Sequence, residues 1–431
     1  MNKYLSLIIG LLMAVSVFAQ TDTTAVKKNA FNMSANCWSR GEIRSGALPD
    51  KNVKEDAIFL MNKAELDLEY RRKGLQVHFS PKFCGVWGSS GSGNLVIDEA
   101  WFGLEHKGWF MRLGRQALAY DDQRIIGDDD WVMAAGRHDL LKTGYEGGKH
   151  KVHVLLAFNQ NDENIQGGTF YKNGGQPYKA METLWYHFDP IPQLGFSLLF
   201  MNMGVQDTIR AAENYTAQQQ LFGGYVDWHP RNFRLQASYY RQTGMNEHRL
   251  PIHAWMTAVE ADWDINSHWH LNSGYFFLSG DPYFFVPPEG DIGMARKTEV
   301  RGFNLMFGSH HAFYGAMDFF YLKTYYGGNT PGLQDFHIGG RFQSDIGLTF
   351  TAAYHYLGTG VKIQDLSRTL GHELELSGSW KITKDIVLSA GYSYMHGTET
   401  MIRLKRTSDK NRLSWGWLML TVTPKIFDIK W

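Results

Sequence analysis

Beyond residue 30 the chain alternates apolar and polar side chains with a period of two. Across residues 62–72, Ala64, Leu66, Leu68 and Tyr70 point one way, and Lys63, Glu65, Asp67, Glu69 and Arg71 point the other. An amphipathic helix would return its apolar residues every three or four positions, so the pattern predicts a strand with one greasy and one wet face. Phe31, Met33, Ala35 and Cys37 repeat it, as do Val152, Val154, Leu156 and Phe158, and later Leu348, Phe350, Ala352, Tyr354 and Tyr356. About twenty such segments can be marked, each roughly 10–14 residues long, which exceeds the usual globular strand and suits a tilted membrane-crossing one. No helix is predicted after residue 30.

The connections sort by parity. Short turns at 72–74, 107–108, 147–150, 189–192, 229–231, 265–268, 309–311, 344–347 and 382–385 alternate with longer stretches. The longer ones, polar or glycine-rich, lie at 46–57, 88–94, 120–138, 160–179, 204–218, 243–252, 280–298, 324–333, 358–370 and 397–412. A transmembrane barrel sorts its loops this way because alternate connections face opposite sides of the membrane. A soluble sandwich with Greek-key links has no such reason. The expected fold is therefore all-β: a transmembrane antiparallel up-and-down barrel of 18–20 strands with short periplasmic turns and long extracellular loops.

Composition fits. The 431 residues carry 43 Lys+Arg against 43 Asp+Glu, which excludes a general nucleic-acid binder needing a cationic surplus. Mean hydropathy is only −0.33, as expected when half of every strand faces water. Aromatic residues fall near strand ends, at Trp87, Trp101, Trp109, Trp185, Trp228, Trp269, Tyr392, Tyr394, Trp415 and Trp417, where amphipathic rings settle at a lipid boundary. Residues 1–19 read as an export signal: Lys3, an apolar core from Leu5 to Phe18, then small residues at Val17 and Ala19. A short periplasmic segment, 20–29, then leads into a barrel domain, 30–431. The two cysteines, Cys37 and Cys84, fall two strands apart and are not expected to pair. The C-terminal Phe427, Ile429 and Trp431 alternate as in the last strand of an outer-membrane barrel, with Pro424 interrupting it.

One stretch carries a family resemblance. Trp109-Phe110-Met111-Arg112-Leu113-Gly114-Arg115-Gln116, then Tyr120-Asp121-Asp122-Gln123-Arg124-Ile125-Ile126-Gly127, then Asp130-Trp131 and Gly136-Arg137, resembles the alginate-export family of outer-membrane barrels. Its marks are a strand ending in GRQ, a Gly/Asp-rich bend with QR, then D-W and G-R. Together with the preceding hairpin the match covers about eighty residues. The resemblance implies an 18-stranded passive channel, against the twenty segments counted above.

Candidate lumen and selectivity residues follow from the inward phase: Arg40, Arg44, Lys63, Glu65, Asp67, Glu69, Arg71, Arg112, Arg234, Arg341, Glu373 and Glu375, with Arg124 in the long loop. Arg115 falls in the lipid-facing phase, so either a bulge turns it inward or it lies at the rim. An arginine-rich lumen selects polyanion in the family's alginate exporter, but here the charges are mixed, which favours a general or oligosaccharide channel. The charged rows on adjacent strands also have a plainer use, as ladders bracing the wall. Loop 120–138 is long enough to enter the lumen as a constriction. No metal is expected. Asp128, Asp129 and Asp130 could hold a hard cation but read better as a solvated acidic loop, and His268 with His270 lacks a third ligand. With no G-x-S-x-G, H-E-x-x-H or P-loop, no enzyme and no cofactor are expected.

The function expected is passive transport or export of polar, including anionic, saccharides or similar small solutes, by a monomer set in the lipid and lipopolysaccharide of a bacterial outer membrane. The competing expectation is a secreted soluble β-rich glycan-binding protein, suggested by the many Trp and Tyr residues.

Overall fold

The computed structural model describes residues 29–45, 55–89, 93–128, 131, 136–161, 163, 170–171, 174–207, 214–320, 329–405 and 412–431. The expected export signal at 1–19, most of the expected periplasmic segment at 20–29, Asp129 and Asp130 lie outside the described residues. The strands are β1 (Ala30–Ser45), β2 (Ala57–Arg72), β3 (Leu75–Val86), β4 (Asn94–His106), β5 (Trp109–Gln116), β6 (His138–Gly147) and β7 (His150–Phe158). They continue with β8 (Ala180–Ile191), β9 (Leu194–Gln206), β10 (Thr216–Trp228), β11 (Phe233–Gly244), β12 (Ala254–Asp264) and β13 (Trp269–Leu278). A two-residue hairpin, β14 (Phe284–Phe285) with β15 (Gly293–Met294), sits in the next loop. The wall resumes as β16 (Leu333–Gln343), β17 (Leu348–Gly358), β18 (Thr369–Lys381), β19 (Ile386–Gly397), β20 (Arg412–Val422) and β21 (Lys425–Lys430).

Each wall strand pairs antiparallel with its sequence neighbours, and β1 closes the ring by pairing with β20 and β21. Pro424 lacks a backbone N–H, so the last strand breaks there, and its two halves lie end to end along β1. Counting those halves as one gives eighteen strands. The upper estimate of twenty fails at one place. The short turn expected at 309–311 is a 3₁₀ turn within a single long connection between β13 and β16, and the apolar runs flanking it are not wall strands. Among the described residues one short α-helix, α1 (Glu399–Lys405), lies in the β19–β20 loop, contrary to the all-strand expectation.

Phase follows the pattern read from sequence. Leu198, Phe200, Phe350, Leu374, Leu376, Leu418 and Leu420 form part of a belt of outward apolar side chains, with Leu198 62% and Leu418 57% exposed. A soluble protein does not carry so large a continuous apolar skin, which argues against the secreted glycan-binding alternative. Trp109, Trp228, Trp263, Trp269, Trp380 and Trp431 stand outward near the short-turn rim as an aromatic girdle. Trp101, Trp185 and Trp415 depart from the boundary role expected of them. They are buried on the inner face, and Trp417 joins Trp415 there beside Trp131. Period two places a side chain on a face, but only the strand's register decides which face is lipid. Cys37 and Cys84 are free, separated by β2, as expected.

Substituting Leu198→Arg places a charge in the middle of the outward belt. It should destabilise the folded barrel by about 2–4 kcal/mol, read as a lowered urea midpoint in lipid vesicles. The luminal change Gln236→Arg should cost far less.

Candidate functional site: a lumen narrowed by infolded loops

The β5–β6 loop turns into the barrel. It can do so because Asp121 and Gln123 take left-handed backbone angles, φ 54° and 63°, which fold the segment into a tight bend. The Tyr120 N–H donates to Ile126 O at 3.1 Å and the Gln123 N–H to Tyr120 O at 2.8 Å, closing that bend. The Asp122 carboxylate accepts from the Arg124 backbone N–H at 3.1 Å and from its Nε at 3.0 Å. The long β13–β16 connection meets this bend inside the barrel. Gly127 N–H donates to Phe307 O at 2.8 Å, Phe307 N–H to Ile125 O at 3.0 Å, and Ser309 N–H to Gln123 O at 2.9 Å. Glycine is required at this junction: a Cβ on Gly308 would lie 2.2 Å from Arg124 O.

The infolded loops reach opposite walls. Tyr120 Oη lies 3.1 Å from His153 Nδ1 on β7, and Trp185 Nε1 on β8 donates to Asp121 Oδ1 at 3.1 Å. Burial holds the Asp121 carboxyl above the usual carboxylate range, with hydrogen bonds from Ser197 and Trp185 acting against it. Arg124 is only 1% exposed. Its guanidinium is sandwiched 3.8 Å from the Phe313 ring and 3.9 Å from the Phe276 ring, with Glu260 of β12 at 3.8 Å. Trp131 stacks on His311 at 4.3 Å and under the Arg40 guanidinium at 3.9 Å. The backbone N–H groups of Ala316 and Met317 donate to Glu375 at 2.5 Å and Glu373 at 2.9 Å on β18. The described residues of loop 120–138 therefore enter the lumen as the sequence suggested, and described residues of a second loop that the sequence reading divided into strands enter with them.

The family-like motif is the machinery of this infolding. Gly114, at φ 129°, leaves no room for a Cβ, which would meet Ala100 O at 2.2 Å and crowd Trp101. The Gln116 amide donates to Leu140 O at 3.2 Å, fastening the strand end. Gln123 Oε1 accepts from Asp128 N–H at 3.0 Å, and Arg137 bridges Asp98 of the wall, at 2.5 Å, to Asp128. Asp128 is thus spoken for by an arginine. Gly136 sits in open space just before that arginine. Arg115 keeps regular register opposite Asp139 and makes a bidentate pair with it, both contacts 2.8 Å, so of the two placements weighed, the rim one holds.

The other candidates divide between bracing and free charge. Glu42 accepts from Arg40 at 2.8 Å and Arg44 at 2.8 Å, Lys63 lies 3.4 Å from Glu65, Asp67 3.5 Å from His78, and Arg71 2.5 Å from Glu69. Arg234 pairs with Asp227 on the neighbouring strand at 2.8 Å. These are ladders along the inner wall. Arg341 stands inward near the short-turn rim, exposed. Arg112 differs. It lies directly opposite Lys142, a cation the sequence reading did not single out, and neither makes an ion pair among the described residues. Arg112 sits 4.8 Å over Trp101 and Lys142 5.0 Å over Tyr120, leaving two half-buried like charges side by side among aromatic faces. Cross-strand registry, visible only once the turns fix the pairing, is the signal that would have found Lys142. The His268–His270 pair does not assemble: His268 bonds Gln343 O at 2.9 Å and His270 is taken by Asp264.

Comparison with known proteins bears on the fold. No family model matches the chain, and no curated protein does. Solved structures do. The outer membrane protein OprD from Pseudomonas aeruginosa is similar over 92% of this chain and 94% of its own, with TM-score 0.60 and 10% identity. Acinetobacter baumannii OccAB4 is similar over 94% of this chain and 100% of its own, with TM-score 0.63 and 10% identity. Pseudomonas aeruginosa OccK9 (OpdG) covers 92% and 98%, with TM-score 0.62 and 12% identity. The eighteen-stranded outer-membrane barrel architecture is thereby shared, whereas these neighbours lend no support to the alginate-export assignment.

Gly308→Val should drive the two infolded loops apart at a cost of about 1–3 kcal/mol while leaving the wall intact. The expected readout is a larger single-channel conductance with an unchanged heat-dependent gel shift.

Proposed function

We propose that the chain is a monomeric outer-membrane channel for passive movement of polar solutes, including anionic saccharides or similar small anions. A closed wall, apolar outside and charged inside, supports a water-lined path across lipid. The observation that carries the anionic preference is the Arg112–Lys142 pair. Like charges directly opposed across a strand pair are destabilising, and a site that keeps them without a partner carboxylate is suited to an anion passing between. The neighbouring faces of Trp101, Phe110 and Tyr120 offer apolar steps that suit the faces of sugar rings. The acidic residues of the facing wall, Glu260, Asp262, Glu373 and Glu375, keep the lumen mixed, which disfavours a polymer selected by arginine alone. Alginate export itself rests on the motif at 109–137, whose residues here serve to fold the constriction. Surrounding outer-membrane lipid and lipopolysaccharide would meet the apolar belt and its aromatic girdle.

Reversal potentials in planar bilayers under a salt gradient test this. Arg112→Ala and Lys142→Ala should each shift selectivity toward cations, and the double variant should shift it further. A wild-type protein that neither conducts nor passes solute into liposomes would overturn the channel reading; selectivity unchanged in the double variant would overturn the role of the pair.

A further inference from the structure

A second cluster lies on the inner wall away from that pair. On β16, Asp335 and His337 are two residues apart and so share the inward face. On β17, His355 stands directly opposite His337 in the ladder. All three side chains are more than nine-tenths buried. One ligand atom from each lies within 4.8 Å of the other two. His355 Nδ1 is 2.9 Å from Asp335 Oδ1, and His337 Nδ1 is 3.9 Å from Asp335 Oδ2.

Two features point to a ligand rather than to a finished hydrogen-bond network. Asp335 Oδ2 and His337 Nδ1 are both buried without a hydrogen-bond partner, and they face one another. Each imidazole also turns its far nitrogen toward a further carboxylate: His355 Nε2 is 3.4 Å from Glu375 Oε1, and His337 Nε2 is 3.9 Å from Glu260 Oε1. Metal-binding histidines are oriented in this way, the outer carboxylate fixing the tautomer so that the inner nitrogen offers its lone pair. Two stacked imidazoles, with centroids 5.3 Å apart, sit on a rigid ladder that fixes their spacing.

We propose that Asp335, His337 and His355 form a binding site for a divalent transition-metal ion of the zinc class. Nitrogen and oxygen donors in this ratio suit zinc, with water or a solute group in the fourth position. Bond lengths near 2.0–2.2 Å set tetrahedral donors roughly 3.5 Å apart, so the longer separations, at most 4.8 Å, must close by about 1 Å and the 2.9 Å His355–Asp335 contact must open slightly, shifts that side-chain torsions can supply. The flanking carboxylates connect this site to the constriction, because Glu375 also accepts from Ala316 N–H of the infolded loop.

The test is calorimetric titration of the refolded, metal-stripped full chain with zinc chloride, together with visible spectroscopy after cobalt(II) loading. Wild type should bind one zinc saturably and show cobalt d–d bands. His337→Gln and the near-isosteric Asp335→Asn should weaken zinc binding at least about 100-fold and lose the bands, and Glu375→Gln should weaken it by about 10–100-fold. The double variant His268→Gln/His270→Gln, at the half-buried histidines of the short-turn rim, should bind as wild type does. Absence of saturable binding in wild type, retention of binding by heat-modifiable Asp335→Asn, or loss of binding in the rim-histidine variant would each overturn the assignment.

Discussion

Hydrocarbon offers no partner to a peptide N–H or C=O, and leaving such a group unpaired in lipid costs several kcal/mol. The whole architecture answers that constraint. Eighteen strands exchange backbone hydrogen bonds with both neighbours, and the first strand meets the last so that the belt has no open edge. Once the ring is closed, each side chain has only two destinations, and alternation along the strand sends apolar groups to lipid and polar groups inward. Proline is tolerated at the closing strand because it falls toward the short-turn rim, where β21 pairs only with β1.

The interior follows from the same geometry. A ring of this size encloses more space than wall side chains alone can fill. The sequence supplies the filling from two loops rather than from bulkier strands. Ile125, Ile126, Phe303, Leu305, Tyr314, Met317 and Phe320 pack with Leu357, Met395 and Trp415 of the wall, giving the barrel a dry patch at its long-loop half. Arg124 survives in that patch because aromatic faces and carboxylates replace the water it gives up. At the opposite, short-turn half, Arg234 and Glu146 remain accessible, whereas the charges of the long-loop half, such as Arg40 with Glu42 and Arg137 with Asp98, are buried in pairs.

Strand phase and loop parity were legible because both are local consequences of the membrane. Lys63, Glu65, Asp67 and Glu69 declared their face by period two alone, and the pairing of Gly108 with a tight turn needed no tertiary information. What was hidden depended on partners distant in sequence. Phe303–Phe307 and Phe313–Phe320 are as apolar as wall strands, and only their burial inside the lumen distinguishes them. Trp101 and Trp185 resemble girdle residues by position, yet register turns them inward. Lys142 and the Asp335–His337–His355 trio become neighbours only through strand pairing. The GRQ…QR stretch was visible as a unit, though its work, fastening a bend into the lumen, could be seen only with Asp98, Leu140 and Ser309 in place.

An even strand number brings both ends of the described chain to the same rim. There Asn29 N–H donates to Trp431 O at 3.0 Å and Trp431 N–H to Asn29 O at 3.1 Å. The seam between first and last strands is therefore closed by the same antiparallel backbone bonds as the rest of the wall, interrupted only at Pro424 and at the shift beside Met33 and Ser34. With those two ends already in hydrogen-bond contact, a circularly permuted gene that links them and cuts a long loop instead would encode the same cylinder.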